Sequence, residues 1–227
     1  MKNNHKLVNC DTDSITICKP NCEPFSEEEL QHILKEINNL YPEGLLWEDD
    51  GYYETFIVLK AKNYIMYDGK KLSVKGSGLK SSKNEPSIKE FHMEIVNAMI
   101  KGETNYTEIY NKYVKEIRNL KDIKRWCSKK TLTQKVFESP RPNEAKIRDA
   151  IVNSEYVEGD KIYVFFKQDE SLCLAENFDG DYNEDRLFNR LYSASKLFSN
   201  VITIEDYFVN YKLKKNKTKL LEIPLDI

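Results

Sequence analysis

Asp11-Thr12-Asp13-Ser14 is the stretch of this chain with the most chemical content. It lies between two short apolar runs, Leu7 to Cys10 and Ile15 to Cys18, which read as strands around a tight turn. Asp and Ser favour such turns because their side chains bond nearby backbone. Two carboxylates two residues apart at a hairpin tip project into one small volume. They repel there unless a cation holds them. Phosphoryl transfer uses a site of this kind, with two metal ions about 3.5–4 Å apart activating the attacking oxygen and stabilising the leaving one. A bare Asp-x-Asp also occurs in phosphatases, glycosyltransferases and plain turns, so the motif alone leaves these open.

Basic residues form the second group. Lys60-Ala61-Lys62-Asn63-Tyr64 reads as a strand start that places Lys60, Lys62 and Tyr64 on one face. Two cations and a phenol hydroxyl in a row suit successive phosphates of a nucleic-acid strand. The same residues also fit a solvated sheet face with an aromatic rim. The run Gly76-Ser77-Gly78-Leu79-Lys80-Ser81-Ser82-Lys83 joins glycines, which allow close backbone approach, to hydroxyls and ammonium groups that bind phosphate. Its spacing does not match a P-loop.

Other candidates fail on their spacing. Asp179-Gly180-Asp181 begins like a calcium loop, but Glu184 stands where glycine is needed and Arg190 where the bidentate Glu belongs. Cys10, Cys18 and Cys22 lack the paired spacing of a zinc site, and His5, His32 and His92 are isolated.

The elements that must position these residues follow from pattern. Ser26 with Glu29 is a capping box, and Leu30, Ile33, Leu34, Ile37 and Leu40 form a helical stripe that runs to about Leu40. Tyr52 to Leu59, Asn63 to Tyr67 and Leu72 to Lys75 read as strands, with Asp68-Gly69 as a hairpin turn. After Pro86 the period changes to 3.6, and Gly102 stops that helix. Further helices are expected over Thr107 to Leu120, from an Asn143 cap to Val152, and over Asp185 to Phe198, with a buried strand over Lys161 to Phe166. Strand-rich sequence gives way to helix-rich sequence near Ser82 to Pro86. The fold expected is α+β: a small antiparallel sheet piece with helices, then a mostly helical region.

Composition bounds the reading. The 227 residues carry 40% hydrophobic residues, 14 Tyr and 10 Phe, enough apolar surface to exclude a disordered chain. No run approaches a membrane span, and the polar start carries no signal peptide. Five scattered Cys suit a reducing, intracellular compartment. The formal net charge of −2 hides segregation. Lys60 to Lys83, Lys112 to Lys135 and Asn210 to Lys219 are basic, while Glu23 to Glu54 and Glu155 to Asp185 are acidic. Such blocks suit one face turned toward phosphates, and equally an ordinary solvated surface.

Taken in order, the carboxylate hairpin, helix, Lys-x-Tyr strand, Gly/Lys/Ser loop and basic helical segment resemble the C-terminal palm and thumb of family B DNA polymerases, particularly viral and phage members. The family signature Tyr-Gly-Asp-Thr-Asp-Ser is matched by Asn9-Cys10-Asp11-Thr12-Asp13-Ser14, identical over its last four residues. Lys62 and Tyr64 match the family's basic run ending in Tyr, with Asn63 where a basic residue is common. Leu79-Lys80-Ser81-Ser82, with Pro86 beyond, resembles the palm-to-thumb crossing. Lys129-Lys130-Thr131-Leu132-Thr133 and Arg141-Pro142-Asn143-Glu144 resemble thumb segments.

The resemblance implies a palm portion over residues 1–85 and a thumb over residues 86–227. It implies a DNA-directed DNA polymerase whose two Mg²⁺ ions are bound by Asp11 and Asp13, the catalytic residues. Primer-template DNA would contact Lys60, Lys62, Tyr64, Lys80, Ser81, Ser82, Lys129, Lys130 and Arg141. The family's second aspartate motif and nucleotide-gripping fingers helix lie upstream of the hairpin. The chain is therefore expected to need an upstream polymerase chain to bind dNTP and to be inactive without it. It is expected in the cytoplasm, that of the host if viral. The alternatives are a non-catalytic DNA-binding module for processivity or regulation, and a metal-dependent phosphotransferase with no nucleic-acid role.

Overall fold

The computed structural model describes residues 5–81 and 84–211, and their fold is α+β. It divides into two compact units between Lys75 and Gly76.

In the first unit, β1 (Lys6–Asp11) and β2 (Ser14–Cys18) form an antiparallel ribbon. The cross-strand pairs Leu7/Ile17 and Cys10/Ile15 share one face, and Asn9/Thr16 the other. Helix α1 (Glu27–Asn38) starts on the expected capping box: the Glu29 N–H donates to Ser26 Oγ at 3.3 Å, and the Ser26 N–H to Glu29 Oε2 at 2.7 Å. It ends two residues before Leu40. The Asn38 side chain there accepts from the Trp47 N–H at 2.6 Å and donates to the Trp47 carbonyl at 3.1 Å, pinning the chain that leaves the helix. Strands β3 (Thr55–Lys60), β4 (Asn63–Tyr67) and β5 (Leu72–Lys75) make a meander with β4 in the centre. Asp68 sets the second turn, accepting from the N–H groups of Lys70 and Lys71 at 2.8 and 2.6 Å, while Gly69 takes a φ of +89°.

The register corrects one expectation. Lys60 pairs with Asn63 across the β3–β4 ladder, so Ala61 and Lys62 are the turn between two strands. Lys60, Lys62 and Tyr64 therefore do not line one face of one strand. Lys62 sits at φ +57°, next to a register shift between Val58 and Lys60. That is the left-handed turn-and-bulge geometry that glycine or asparagine usually occupies.

The second unit begins with α2 (Ser77–Lys80), a single helical turn where an open loop was expected. Helix α3 (Pro86–Lys101) has Pro86 in its first turn and ends on left-handed Gly102, φ +69°. Helix α4 (Tyr106–Arg118) follows, then a 3₁₀ turn over Ile123–Trp126. Strands β6 (Ser128–Thr131), β7 (Lys161–Phe166) and β8 (Leu172–Leu174) form an antiparallel sheet centred on β7. The short α5 (Gln134–Glu138) and α6 (Pro142–Ile151) lie between β6 and β7 in sequence. Helices α7 (Glu184–Ser195) and α8 (Ile204–Tyr207) complete the described chain. Asn143 does not cap α6. Arg141 holds the cap position and Pro142 the first helical position, where its missing N–H has no intrahelical partner to lose.

Packing explains these choices. Phe91 of α3 is fully buried and meets Tyr110, Tyr113 and Phe208 edge to face, at 6.1, 5.5 and 6.1 Å between centroids. Strand β7 is buried on both sides only beyond Tyr163. Ile162 and Val164 join Leu132, Val136, Ile151 and Leu174, while Phe165 joins Ile123, Cys127 and Ala175. A carboxylate network ties the helices together. Glu116 accepts from Arg125 Nε and Trp126 Nε1, both at 2.9 Å, and from Ser87 Oγ at 3.2 Å. Burial pushes the Glu116 carboxyl up, but the hydrogen bonds from Arg125 and Trp126 outweigh this and hold it below its ordinary range. Among the described residues no helix is long and apolar enough to cross a membrane.

Candidate functional site

The Asp-Thr-Asp-Ser motif forms the hairpin its residue types favour. Asp11 closes β1 and pairs with Ser14, leaving Thr12 and Asp13 as the two-residue turn. Asp11 Oδ1 accepts from the Thr12 N–H at 2.9 Å and from Thr12 Oγ1 at 3.4 Å, two bonds from the next residue that fix the carboxylate. The Lys62 ammonium lies 3.7 Å from the same oxygen. The Thr12 N–H holds the Asp11 carboxyl below the usual carboxylate range; burial opposes it, and the Lys62 charge adds a lesser lowering. Asp11 is ionised at neutral pH. Asp13 is exposed and has no side-chain partner among the described residues.

These two carboxylates suit Mg²⁺, which is commonly bound through one or two carboxylates together with waters and substrate phosphates. Among the described residues no group of three or more His, Cys, Asp or Glu side chains gathers to hold a metal. A pair of ions therefore needs oxygen donors beyond this hairpin.

Of the expected basic contacts, the fold brings Lys62 to Asp11. The 75% exposure of the Lys62 side chain leaves its ammonium reachable from solvent. Tyr64 lies on β4, stacked on Phe56 at 5.2 Å, and pairs with Lys75 on β5. Lys75 belongs, with Lys70 and Lys71, to the basic hairpin that follows the Lys60–Tyr64 segment in sequence, and the Asp68-Gly69 turn fixes the register that places it there. Lys60 is exposed at the end of β3. In the second unit Lys80 is exposed at the end of α2, and Ser81 is its half-buried C-cap. Lys129 and Lys130 are exposed on β6, and Arg141 is exposed before α6. Ser82, and the Asn210 to Lys219 basic run beyond residue 211, lie outside the described residues. The calcium-like segment forms a surface turn in which Asp179 pairs with Lys167 at 2.6 Å.

No known family model and no curated protein matches the sequence. Among solved structures, the family B DNA polymerase of the hyperthermophilic archaeon Pyrobaculum calidifontis is similar, with a TM-score of 0.63 over 88% of this chain and 15% sequence identity. At that identity the likeness is one of fold. This chain spans 27% of that polymerase's length.

Proposed function

We propose that this chain is the C-terminal palm and thumb portion of a family B DNA-directed DNA polymerase, of viral or phage type, with residues 1–85 as the palm piece and 86–227 as the thumb. The observation that carries the reading is the Asp11-Thr12-Asp13-Ser14 hairpin, with an ionised Asp11 fixed by Thr12, inside a chain whose fold is similar to a family B polymerase. Asp11 and Asp13 would hold the Mg²⁺ pair together with donors from the rest of the enzyme. When bound, those ions activate the primer hydroxyl and neutralise charge on the phosphates. Asp11 needs no proton removed at neutral pH, and Thr12 keeps its oxygen aimed while ligands exchange. Lys62 and Tyr64 hold the primer strand near its end, Lys62 from the turn beside Asp11. Lys60, Lys80, Ser81, Ser82, Lys129, Lys130 and Arg141 contact the primer-template by its phosphates. The fingers, the dNTP pocket and the remaining metal ligands come from the polymerase portion that this chain does not match, whether in the same polypeptide or in a second one.

In the assembled enzyme, Asp11→Ala is expected to abolish templated primer extension and leave duplex binding within a few-fold, because the hairpin meets metals rather than the phosphate ladder. This chain alone is expected to bind duplex weakly and to extend no primer. Near-normal extension by Asp11→Ala would remove the catalytic assignment. Duplex binding without any Asp11-dependent synthesis would leave the non-catalytic DNA-binding module.

A further inference from the structure

The β6–β7 register creates a surface that the sequence motifs do not describe. Lys129 pairs with Tyr163, and Thr131 with Lys161. Residues opposite one another across a ladder share a face, so Lys129, Tyr163, Thr131 and Lys161 lie together on one side of the sheet. On the other side Ile162 and Val164 are buried and Lys130 is exposed, while the Tyr163 side is open only up to Phe165, which is buried. Lys129, Thr131 and Lys161 are exposed, and Tyr163 is 41% exposed, unusual for an aromatic residue on the central strand of a sheet. The Lys129 ammonium sits 5.9 Å from the Tyr163 ring centroid, at the outer limit of a cation–π contact. Neither Lys129 nor Lys161 has an acidic partner within ion-pair distance among the described residues, so both ammonium groups are open to a phosphate.

We infer that this face binds an unpaired stretch of a DNA strand, with a base stacked on Tyr163 and the flanking phosphates on Lys129 and Lys161. An exposed aromatic ring between unneutralised cations is the arrangement by which proteins hold single strands: the ring takes any base by its π-face, and the cations follow the backbone. Lys129 and Lys161 are diagonal neighbours across the ladder, roughly 7–8 Å apart at the backbone. Lys129 lies across the ladder from Tyr163, and Lys161 two residues before it on the same strand. The weak Lys129–Tyr163 contact lets the ammonium leave the ring for a phosphate when a base arrives. A duplex offers no free base face except at its ends, so the platform selects the unpaired strand. This inference rests on the DNA-binding reading above but uses neither Asp11 nor metal.

The test uses the full chain, with a labelled short oligo-thymidine and the same label on a blunt duplex, both titrated by fluorescence anisotropy. Tyr163→Ala is expected to weaken single-strand binding about tenfold or more, the scale of one lost base stack. Tyr163→Phe should retain it, and duplex binding should change less than twofold in both variants. Lys129→Ala and Lys161→Ala should each lower the single-strand salt slope by about 0.7. Equal weakening of both ligands by Tyr163→Ala, or no weakening of either, would overturn the platform; the lysines would then serve only to guard the β6 edge from pairing. Absence of any Asp11-dependent synthesis in the assembled enzyme, with Tyr163-dependent strand binding intact, would defeat the polymerase reading and leave this one standing.

Discussion

The unit after Gly76 buries Phe91, Tyr110, Tyr113 and Phe198 in its core, whereas the unit before it leaves Leu7, Leu40, Leu45, Leu46 and Tyr52 more than half exposed. The contrast follows from what each stretch of sequence can close around. Helices α3 and α4 carry apolar residues at a helical period on facing sides, so Phe91, Ile95, Tyr110 and Tyr113 bury one another. The β1–β2 ribbon has an apolar face but only two strands, and such a ribbon is marginal alone in water. Within its unit, Leu7 remains 64% and Ile15 38% exposed. Burial is therefore denser in one unit, and the Asp11–Asp13 hairpin lies in the other. An exposed, lightly packed hairpin keeps Asp11 and Asp13 reachable, which a dense core would not.

The strongest way to break this comparison is to open the core. Phe91 is completely buried among other rings, so Phe91→Ala is expected to lower unfolding free energy by about 3–5 kcal/mol, the usual cost of removing a buried aromatic side chain. Leu40→Ser, at a residue 78% exposed, should change it by under about 0.5 kcal/mol. Urea denaturation of each variant checks both. A small loss for Phe91→Ala would mean that the second unit tolerates a void, and the contrast between the units would weaken.

Acid sharpens the comparison, because the second unit buries a histidine. His92 Nε2 lies 3.1 Å from the Ala194 carbonyl, which only accepts, so the proton of the neutral ring is on Nε2. Nδ1 is buried without a partner among the described residues. Burial pushes the imidazole from its ordinary 6.5 down to about 4; the Ala194 bond opposes this, nearby Arg190 adds to it, and Glu85 counters it. The native state therefore takes up this proton less readily than the unfolded chain. Stability from His92 is intact above pH 6.5 and is lost as pH falls from 6.5 toward 4, by about 3 kcal/mol in full. His92→Phe is expected to flatten that part of the stability profile, at the cost of leaving the Ala194 carbonyl without the ring's hydrogen bond. Urea midpoints at pH 7 and pH 5 measure it, and an unchanged acid slope in the variant would remove His92 as the cause.

Legibility in the sequence followed the same division between local and distant causes. The Ser26–Glu29 box, the Asp68-Gly69 turn, β7 over Lys161–Phe166 and the Gly102 stop are set within a few residues, and all are present as read. Strand β6 was hidden because its Lys129-Lys130 pair looks like helix surface; it is a strand because β7 offers it a ladder. The three residues of β8 carry no period of their own. At the candidate site, the carboxylate hairpin was readable from turn chemistry. The approach of Lys62 to Asp11 was not, because it depends on how two hairpins separated by α1 come together.

The smallest expected effect concerns Lys62 itself. Its φ of +57° places a side chain where glycine is at ease, a backbone penalty of about 1–2 kcal/mol for an ordinary residue. Lys62→Gly removes that penalty but gives the unfolded chain more freedom, which offsets roughly 0.5–1 kcal/mol of the gain. The ion pair with Asp11 adds little to the balance, since the Lys62 side chain is 75% exposed and its charge is screened by water. The net expectation is a β3–β4 hairpin as stable as before or slightly more so. Amide hydrogen exchange over residues 55–67 reads this directly, with protection unchanged or raised by up to about tenfold. A fall in protection would mean that the lysine side chain holds the turn together. Unchanged or higher protection means that stability does not require a lysine in this strained position.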